Sequence, residues 1–243
     1  MELRGKKALV TGAAHRVGRS IALALAQRGC DVALHYHSAE AEAEATEREA
    51  EALGVRAVRA RADLRLAEDV VRMFETIDAS LGRIDVLVNS AAELEAQELL
   101  YLTEADWDRV LDLNLRGPFL CLQQAARRML AGDGGAIVNI SDSAAHWPWP
   151  RYPAHSVSKA GLEMLTRVAA VALAPKVRVN AVAPGPVEKP GRMPEGRWTA
   201  LGRALPLART GTSQDVAEAV VFCLENDYLT GEVLFVDGGD HLR

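Results

Sequence analysis

Short apolar runs recur along the chain, each followed by a longer stretch in which apolar residues return every three or four positions. KKALVTG (6–12), DVALHY (31–36), VRAVRARADL (55–64), IDVLVNSAA (84–92), GAIVNIS (135–141), VRVNAVAPG (177–185) and EVLFVDGG (232–239) predict seven strands. The segments between them predict helices. One follows the first strand and runs through Arg28, with Gly29 as its stop signal. AEAEAEATEREAEALG (39–54) is an Ala/Glu helix whose charge run reads as a solvated face. Further helices are expected over 66–82, over 103–130 as one long helix capped at Thr103 and Glu104, from Pro153 to about Ala174, and over 213–226. Strands that are apolar throughout, separated by crossover helices, predict an α/β fold. The expected form is a Rossmann-type, doubly wound, seven-stranded parallel sheet with helices on both faces. No short repeat or linker interrupts the pattern, so residues 1–243 are expected to form a single domain.

Composition narrows the functional classes. The chain has 243 residues, 49% of them apolar, enough for one sizeable core. A net charge of −5 gives no electrostatic footprint for nucleic acid or an anionic membrane. No run of 18 or more apolar residues predicts a membrane span, and the start passes directly into a strand, so a cytoplasmic protein is expected. Cys30, Cys121 and Cys223 are far apart and lack metal-ligand spacing. They read as buried small apolar residues, and no metal site is expected.

In a doubly wound sheet, ligands bind beyond the carboxyl ends of the strands. The first strand ends in TGAAHRVGRS, a turn in which Gly12 and Gly18 flank Arg16. Such a turn brings backbone N–H groups to a pyrophosphate at a helix N-terminus. Gly12 supplies the turn and Gly18 close packing, while Arg16 stands where a middle glycine is usual. The second strand ends in His35, Tyr36, His37 and Ser38, with no carboxylate for a free ribose 2′-hydroxyl. Together with Arg16, that tip favours a 2′-phosphate, hence NADP(H) over NAD(H). Asp63 is placed either to accept from an adenine amine or to cap the next helix.

The ordered set Thr11-Gly12…Gly18, Asp63-Leu64, Asn89-Ser90-Ala91-Ala92, Asn114, Ser158-Lys159, Asn180…Pro184-Gly185 and Thr230-Gly231…Val236-Asp237-Gly238-Gly239 resembles the short-chain dehydrogenase/reductase family over essentially the whole chain. Within that family the chain is most similar to pteridine reductases. The shared features are TGAAxRxG, the His-Tyr-His tip and Asp142, an aspartate where most of the family has its active-site serine. The resemblance implies cofactor contacts from Gly12, His15, Arg16, Val17, Gly18, His35, Tyr36, His37, Ser38, Asp63, Leu64, Asn89, Ser90, Ala91, Lys159, Pro184 and Gly185. It also implies an NADPH-dependent pterin reductase and a homotetramer. Three departures stand out. Leu94 takes the place of an aromatic ring that stacks on the pterin, and the arginine that follows the tip in pteridine reductases is missing before Ser38. Most consequentially, His155 occupies the position of the catalytic tyrosine.

Reduction of a C=O or C=N bond needs a hydride and a proton. In the family arrangement a lysine one turn after the tyrosine lowers the phenol's pKa and holds the nicotinamide ribose. Lys159 keeps that place, and Asn114 is expected to hold a water for proton supply. An imidazole donates only when it is imidazolium; the Lys159 ammonium opposes that charge and the Asp142 carboxylate favours it. Three donors therefore stay open: His155, Asp142 (whose other reading is an Asx turn) and Tyr152. Tyr152 lies seven residues before Lys159, about 10 Å along a helix axis and too far for direct activation; pteridine reductases have a tyrosine at the matching place, and that resemblance implies a substrate-side residue. Pro153 suits the first helical position and puts Tyr152 at the cap. The segment 185–212, rich in Pro, Gly and Arg, follows the sixth strand, where the family has its substrate loop; the resemblance implies that role here, with Met193 and Trp198 among its contacts. HWPWP (146–150) is expected to line the pocket or a subunit contact. Another carbonyl substrate, or an NADP(H)-binding protein without turnover, are the alternatives.

Overall fold

The computed structural model describes residues 1–191 and 193–242. Seven strands, β1 (Lys7–Val10), β2 (Asp31–Tyr36), β3 (Ala57–Arg61), β4 (Val86–Asn89), β5 (Gly135–Ile140), β6 (Val177–Pro184) and β7 (Val233–Val236), form one sheet in the order β3-β2-β1-β4-β5-β6-β7. All six pairings are parallel. The expected doubly wound sheet is therefore present, and its strand order reverses between β1 and β4. That switch point opens a crevice at the carboxyl edge.

Strand alternation accounts for the two cores. Ala8, Val10, Val32, Leu34, Val86, Val88 and Val138 face one layer, α1 (Arg16–Gln27), α2 (Glu40–Ala52) and α8 (Ser213–Glu225), through Ile21, Leu25, Ala50, Val220 and Leu224. Leu9, Ala33, Leu87, Ile137, Val177 and Val179 face the other, α3 (Ala67–Ser80), α5 (Gly117–Leu130) and α6 (Pro153–Leu173), through Phe74, Ile77, Leu122, Met129 and Ala169. A strand covered on both faces must be apolar at every position, which is why the strands read as unbroken runs. Each fully buried Leu, Ile or Phe stabilises the fold by about 2 kcal/mol. The three cysteines are buried and unpaired, and burial pushes the Cys30 and Cys121 thiols up to about 12.

Two local features depart from expectation. The predicted helix over 103–130 is broken: α4 (Glu104–Leu111) and α5 flank a π-helical turn, Asp112–Arg116, closed by the Gly117 N–H bonding back five residues to Asp112 O. Pro118 has no N–H to give Asn114 and its ring would press on that carbonyl, so the helix widens one turn earlier. The widened turn carries Asn114. The expected loop over 185–212 contains a further helix, α7 (Glu195–Ala204). Its only fully buried residue is Gly202, so it leaves almost no apolar periodicity to find.

Candidate active site

A cleft of about 740 Å³ runs along the carboxyl edge of the sheet, from the α1 N-terminus and the β2 tip to the start of α6 and the α7 segment. All of the expected cofactor, catalytic and substrate residues line it except Asn89 and Asn114.

At the first end, Gly12 adopts φ +66°, and a Cβ there would meet Ala91 Cα at 3.0 Å. A Cβ on Gly18 would lie 2.2 Å from Gly12 O, so the turn packs directly on the helix it feeds. Arg16 sits in the left-handed region at φ 55°, where the middle glycine of such turns is at ease. A non-glycine residue held there costs about 1 kcal/mol. Helix α1 has no side-chain cap at His15 and no acidic residue in its first turn. Its leading N–H groups therefore face the cleft ready for an anion. Thr11 ties this turn to the next strand, accepting from Ser90 N (2.9 Å) and Ala91 N (3.0 Å).

The β2 tip divides into two kinds of residue. His35 is buried at 3% exposure, its Nδ1 accepting from Gly12 N–H at 3.0 Å and its Nε2 lying 3.2 Å from Ala62 O. The ring is thus a neutral Nε2–H tautomer, and burial lowers its pKa from 6.5 to about 4. Both ring nitrogens serve the protein, so His35 braces the Gly12 turn from below instead of offering an atom to a phosphate. Tyr36 is also buried, its hydroxyl turned toward Glu40. Exposed His37 and Ser38, with half-exposed Arg16, remain as the tip's polar groups. Glu188, which accepts from Ser213, lies 3.9 Å from Arg16. Asp63 does not cap α3, whose N-cap is Leu66. Arg65 grips its carboxylate and holds its pKa below the usual range, with His37 3.9 Å away.

The two exceptions are structural in placement. Asn89 is buried and donates to Asn139 Oδ1 at 2.8 Å, beneath the cleft wall. Asn114, expected to hold a water, clamps the Glu93 backbone: its Oδ1 accepts from Glu93 N (2.8 Å) and its Nδ2 donates to Glu93 O (2.9 Å). The same amide nitrogen also reaches Ser158 Oγ at 3.2 Å.

At the other end, Pro153 opens α6 with Tyr152 as its N-cap, as expected. His155, on the first turn, is 4% exposed. Its Nδ1 lies 3.1 Å from Glu93 O, while its Nε2 is buried without a hydrogen-bond partner, 3.6 Å from Asp142 Oδ2. Asp142 spends its other oxygen on Ala144 N at 2.8 Å, so the Asx turn and an aspartate facing the cleft coexist. Lys159, one turn along α6, is 3% exposed and donates to Ile140 O at 2.7 Å. Burial lowers its pKa to about 8, partly offset by the Asp142 carboxylate. Trp149 stacks on His155 (ring centres 6.5 Å apart, planes at 19°) and meets Tyr152 edge-on at 5.8 Å. Trp149 thus lines the pocket, one of the two places expected for the HWPWP segment. Leu94, Met193 and Trp198 complete the open wall.

This assembly, a glycine turn at β1, an asparagine clamp on the segment after β4 and a buried lysine one turn after a site-lining residue, draws on residues 12 to 159. A family model described as enoyl-(acyl carrier protein) reductase matches residues 12–241. The chain belongs to the short-chain dehydrogenase/reductase family. It is 36% identical to a short-chain type dehydrogenase/reductase of Picea abies, over 98% of this chain and 93% of that protein. It is 37% identical to the 3-oxoacyl-[acyl-carrier-protein] reductase FabG of Staphylococcus aureus, over 98% of both. Among solved structures, a blue fluorescent protein from a metagenomic library, in complex with NADPH, superposes with a TM-score of 0.90 at 35% identity, covering 98% of this chain and 99% of that one. Acetoin dehydrogenase YohF from Salmonella typhimurium gives a TM-score of 0.88 at 34% identity, covering 98% of both chains. This short-chain dehydrogenase/reductase chain is thus an oxidoreductase by family. These relatives carry other names than pteridine reductase.

Proposed function

We propose that the chain is an NADPH-dependent reductase of a small carbonyl or imine substrate. The observation that carries this reading is the continuity of one cleft between two chemically distinct ends. One end offers the uncapped α1 N-terminus, Arg16, His37 and Ser38; the other offers Lys159, Asp142 and His155. The first end suits a pyrophosphate and a ribose 2′-phosphate, since no acidic side chain takes the place expected for a 2′-hydroxyl partner. The Gly12–Arg16–Gly18 turn, Leu64, Ser90 and Ala91 would hold the adenosine and diphosphate portions, with Lys159, Pro184 and Gly185 at the nicotinamide end. NADPH, when bound, supplies the hydride. The chain's own residues orient the substrate beside Trp149, Tyr152 and Leu94 and manage its proton at Asp142 and His155. The segment 185–212, with Met193 and Trp198 facing the cleft, would then cover the substrate.

Within this reading, two substrate classes have their own support. Asp142, at the substrate end, favours a pterin ring, in line with the TGAAxRxG turn and His-Tyr-His tip shared with pteridine reductases. Leu94, which is aliphatic and half exposed, and the 3-oxoacyl reductase relatives favour a 3-oxo thioester, and the acetoin dehydrogenase neighbour favours a small diketone. The homotetramer implied by family resemblance is supported by an exposed apolar line on α6, Val157, Met164, Val168 and Val171. Sedimentation would show it as a single species of four chains.

The test is NADPH consumption with dihydrobiopterin, an acetoacetyl thioester and 2,3-butanedione in parallel. Turnover of any one, with NADPH clearly preferred to NADH, is the expected result. NADPH binding without consumption in all three, restored by His155→Tyr, would instead mark a nucleotide-binding protein that has lost its catalysis.

A further inference from the structure

The hydrogen-bond network around His155 decides which of its ring nitrogens carries the exchangeable proton. The Asn114 amide has two hydrogens, and its orientation is fixed because Oδ1 accepts from Glu93 N at 2.8 Å. Its Nδ2 is 2.9 Å from Glu93 O and 3.2 Å from Ser158 Oγ. Ser158 already donates its own hydrogen to His155 O at 2.7 Å, so its oxygen is open to accept from Asn114. Both amide hydrogens are then used. The 3.3 Å approach of Asn114 Nδ2 to His155 Nδ1 has none left to share. Nδ1 must therefore bring its own hydrogen, donated to Glu93 O at 3.1 Å. Nε2 is left as the atom that gains and loses a proton, and it is the buried ring nitrogen without a partner.

Nε2 faces Asp142 Oδ2 across 3.6 Å. That is too long for a direct hydrogen bond; an oxygen or nitrogen atom about 2.8 Å from both would bridge them once a small side-chain shift opens the buried Nε2 to the cleft. Among the described residues, charged and titratable groups approach this gap from several elements. Lys159 comes from the next turn of α6 and Asp142 from the end of β5. The Glu93 carboxylate, which follows β4, is paired with Arg109 of α4, and Tyr152 stands at the helix cap beside Trp149.

We propose that the His155 imidazole and the Asp142 carboxylate act as one proton-transfer pair, with the reacting oxygen or nitrogen of the substrate seated between Nε2 and Oδ2. This rests on the reductase reading and deepens it. In reduction, the substrate carbon takes the hydride of NADPH, the C=O π bond breaks, and its oxygen takes the Nε2 proton. NADP⁺, an alcohol, a neutral imidazole and a carboxylate remain, and solvent returns the proton. In the reverse direction the same neutral Nε2 accepts the alcohol proton as a base, which a phenol does only once ionised. The protonated form of the pair reduces and its deprotonated form oxidises. Lys159 thereby acts on the carboxylate, where the usual family lysine acts on a phenol.

Two measurements test this. Side-chain ¹H–¹⁵N spectra of ¹⁵N-histidine protein, with His155 assigned by its loss in His155→Gln, should show the Nδ1–H tautomer when the ring is neutral. An Nε2–H tautomer overturns the proposal regardless of turnover. Reduction of 2,3-butanedione by NADPH should fall as rising pH removes the proton it consumes. In Asp142→Asn the falling limb should move to lower pH, with kcat/KM down about 100-fold. In His155→Tyr it should move up by about 2 pH units or more. An unchanged profile in Asp142→Asn overturns the pair. No turnover in wild type but turnover in His155→Tyr overturns it too, leaving the reductase scaffold intact. No turnover in either defeats the reductase reading for this probe, and the tautomer still decides the placement of the proton.

Discussion

Two buried histidines, one at the tip of β2 and one at the start of α6, do opposite work. His35 and His155 are 3% and 4% exposed, both near the cleft. His35 spends one nitrogen on Gly12 N–H and the other on Ala62 O, so it is closed to any ligand. His155 spends one nitrogen on Glu93 O and keeps the other unpartnered toward Asp142. Equal burial therefore says little about function; what matters is whether the protein has used both ends of the ring. The first histidine braces the Gly12 turn, and the second, in the pair proposed above, would hold a proton beside the substrate.

The comparison predicts that the two residues fail differently. His155→Gln should cut turnover about 100- to 10,000-fold while NADPH affinity and melting temperature stay near wild type, checked by steady-state kinetics and thermal melts. His35→Phe should do the reverse in kind. It leaves the Gly12 N–H unpaired, so urea unfolding should show a loss of about 2–3 kcal/mol, and NADPH should bind at least about tenfold more weakly. If both variants lost stability equally, the distinction between brace and proton carrier would collapse.

A pH experiment sharpens the brace. The folded pKa of His35, about 4, lies below its unfolded value near 6.5, so the unfolded chain takes up the proton first. The contribution of the neutral ring is fully present above pH 6.5 and is lost as pH falls toward 4. It amounts to ~3 kcal/mol at most. Urea midpoints should drop over that window in wild type, and His35→Phe should flatten this part of the curve.

The smallest effects concern the mouth of the cofactor end. Arg16→Gly relieves the left-handed backbone by about 1 kcal/mol but should reduce the preference for NADPH over NADH about tenfold. Glu188→Gln removes a carboxylate 3.9 Å from Arg16 and should tighten NADPH binding a few-fold, measured by fluorescence titration. Equal affinity of wild type for NADH and NADPH would contradict the role given to Arg16.

These regions also differ in how far the sequence reveals them. The seven strands and the Gly12–Gly18 turn are legible because burial on both faces and a tight strand-to-helix turn each leave a local pattern. Tyr152 at the α6 cap is legible because Pro153 dictates it. The role of His35 is not, since its partners Gly12 and Ala62 stand 23 and 27 residues away. Nor is the tautomer of His155, which depends on the carbonyl of Glu93, 62 residues distant, and on the π-helical turn that presents Asn114. Helix α7 is hidden in the sequence because it buries almost nothing. Trp149 is visible there as one of a cluster of aromatics, but only the folded loop lays it on the His155 ring.

A crystal structure of the chain with NADP⁺ would test the shared cleft and its proton-transfer pair in one measurement. It should place the 2′-phosphate among Arg16, His37 and Ser38, and the nicotinamide ring against the gap between His155 Nε2 and Asp142 Oδ2. A 2′-phosphate away from Arg16, or a nicotinamide ring facing a different side chain with His155 turned from the cleft, would contradict it.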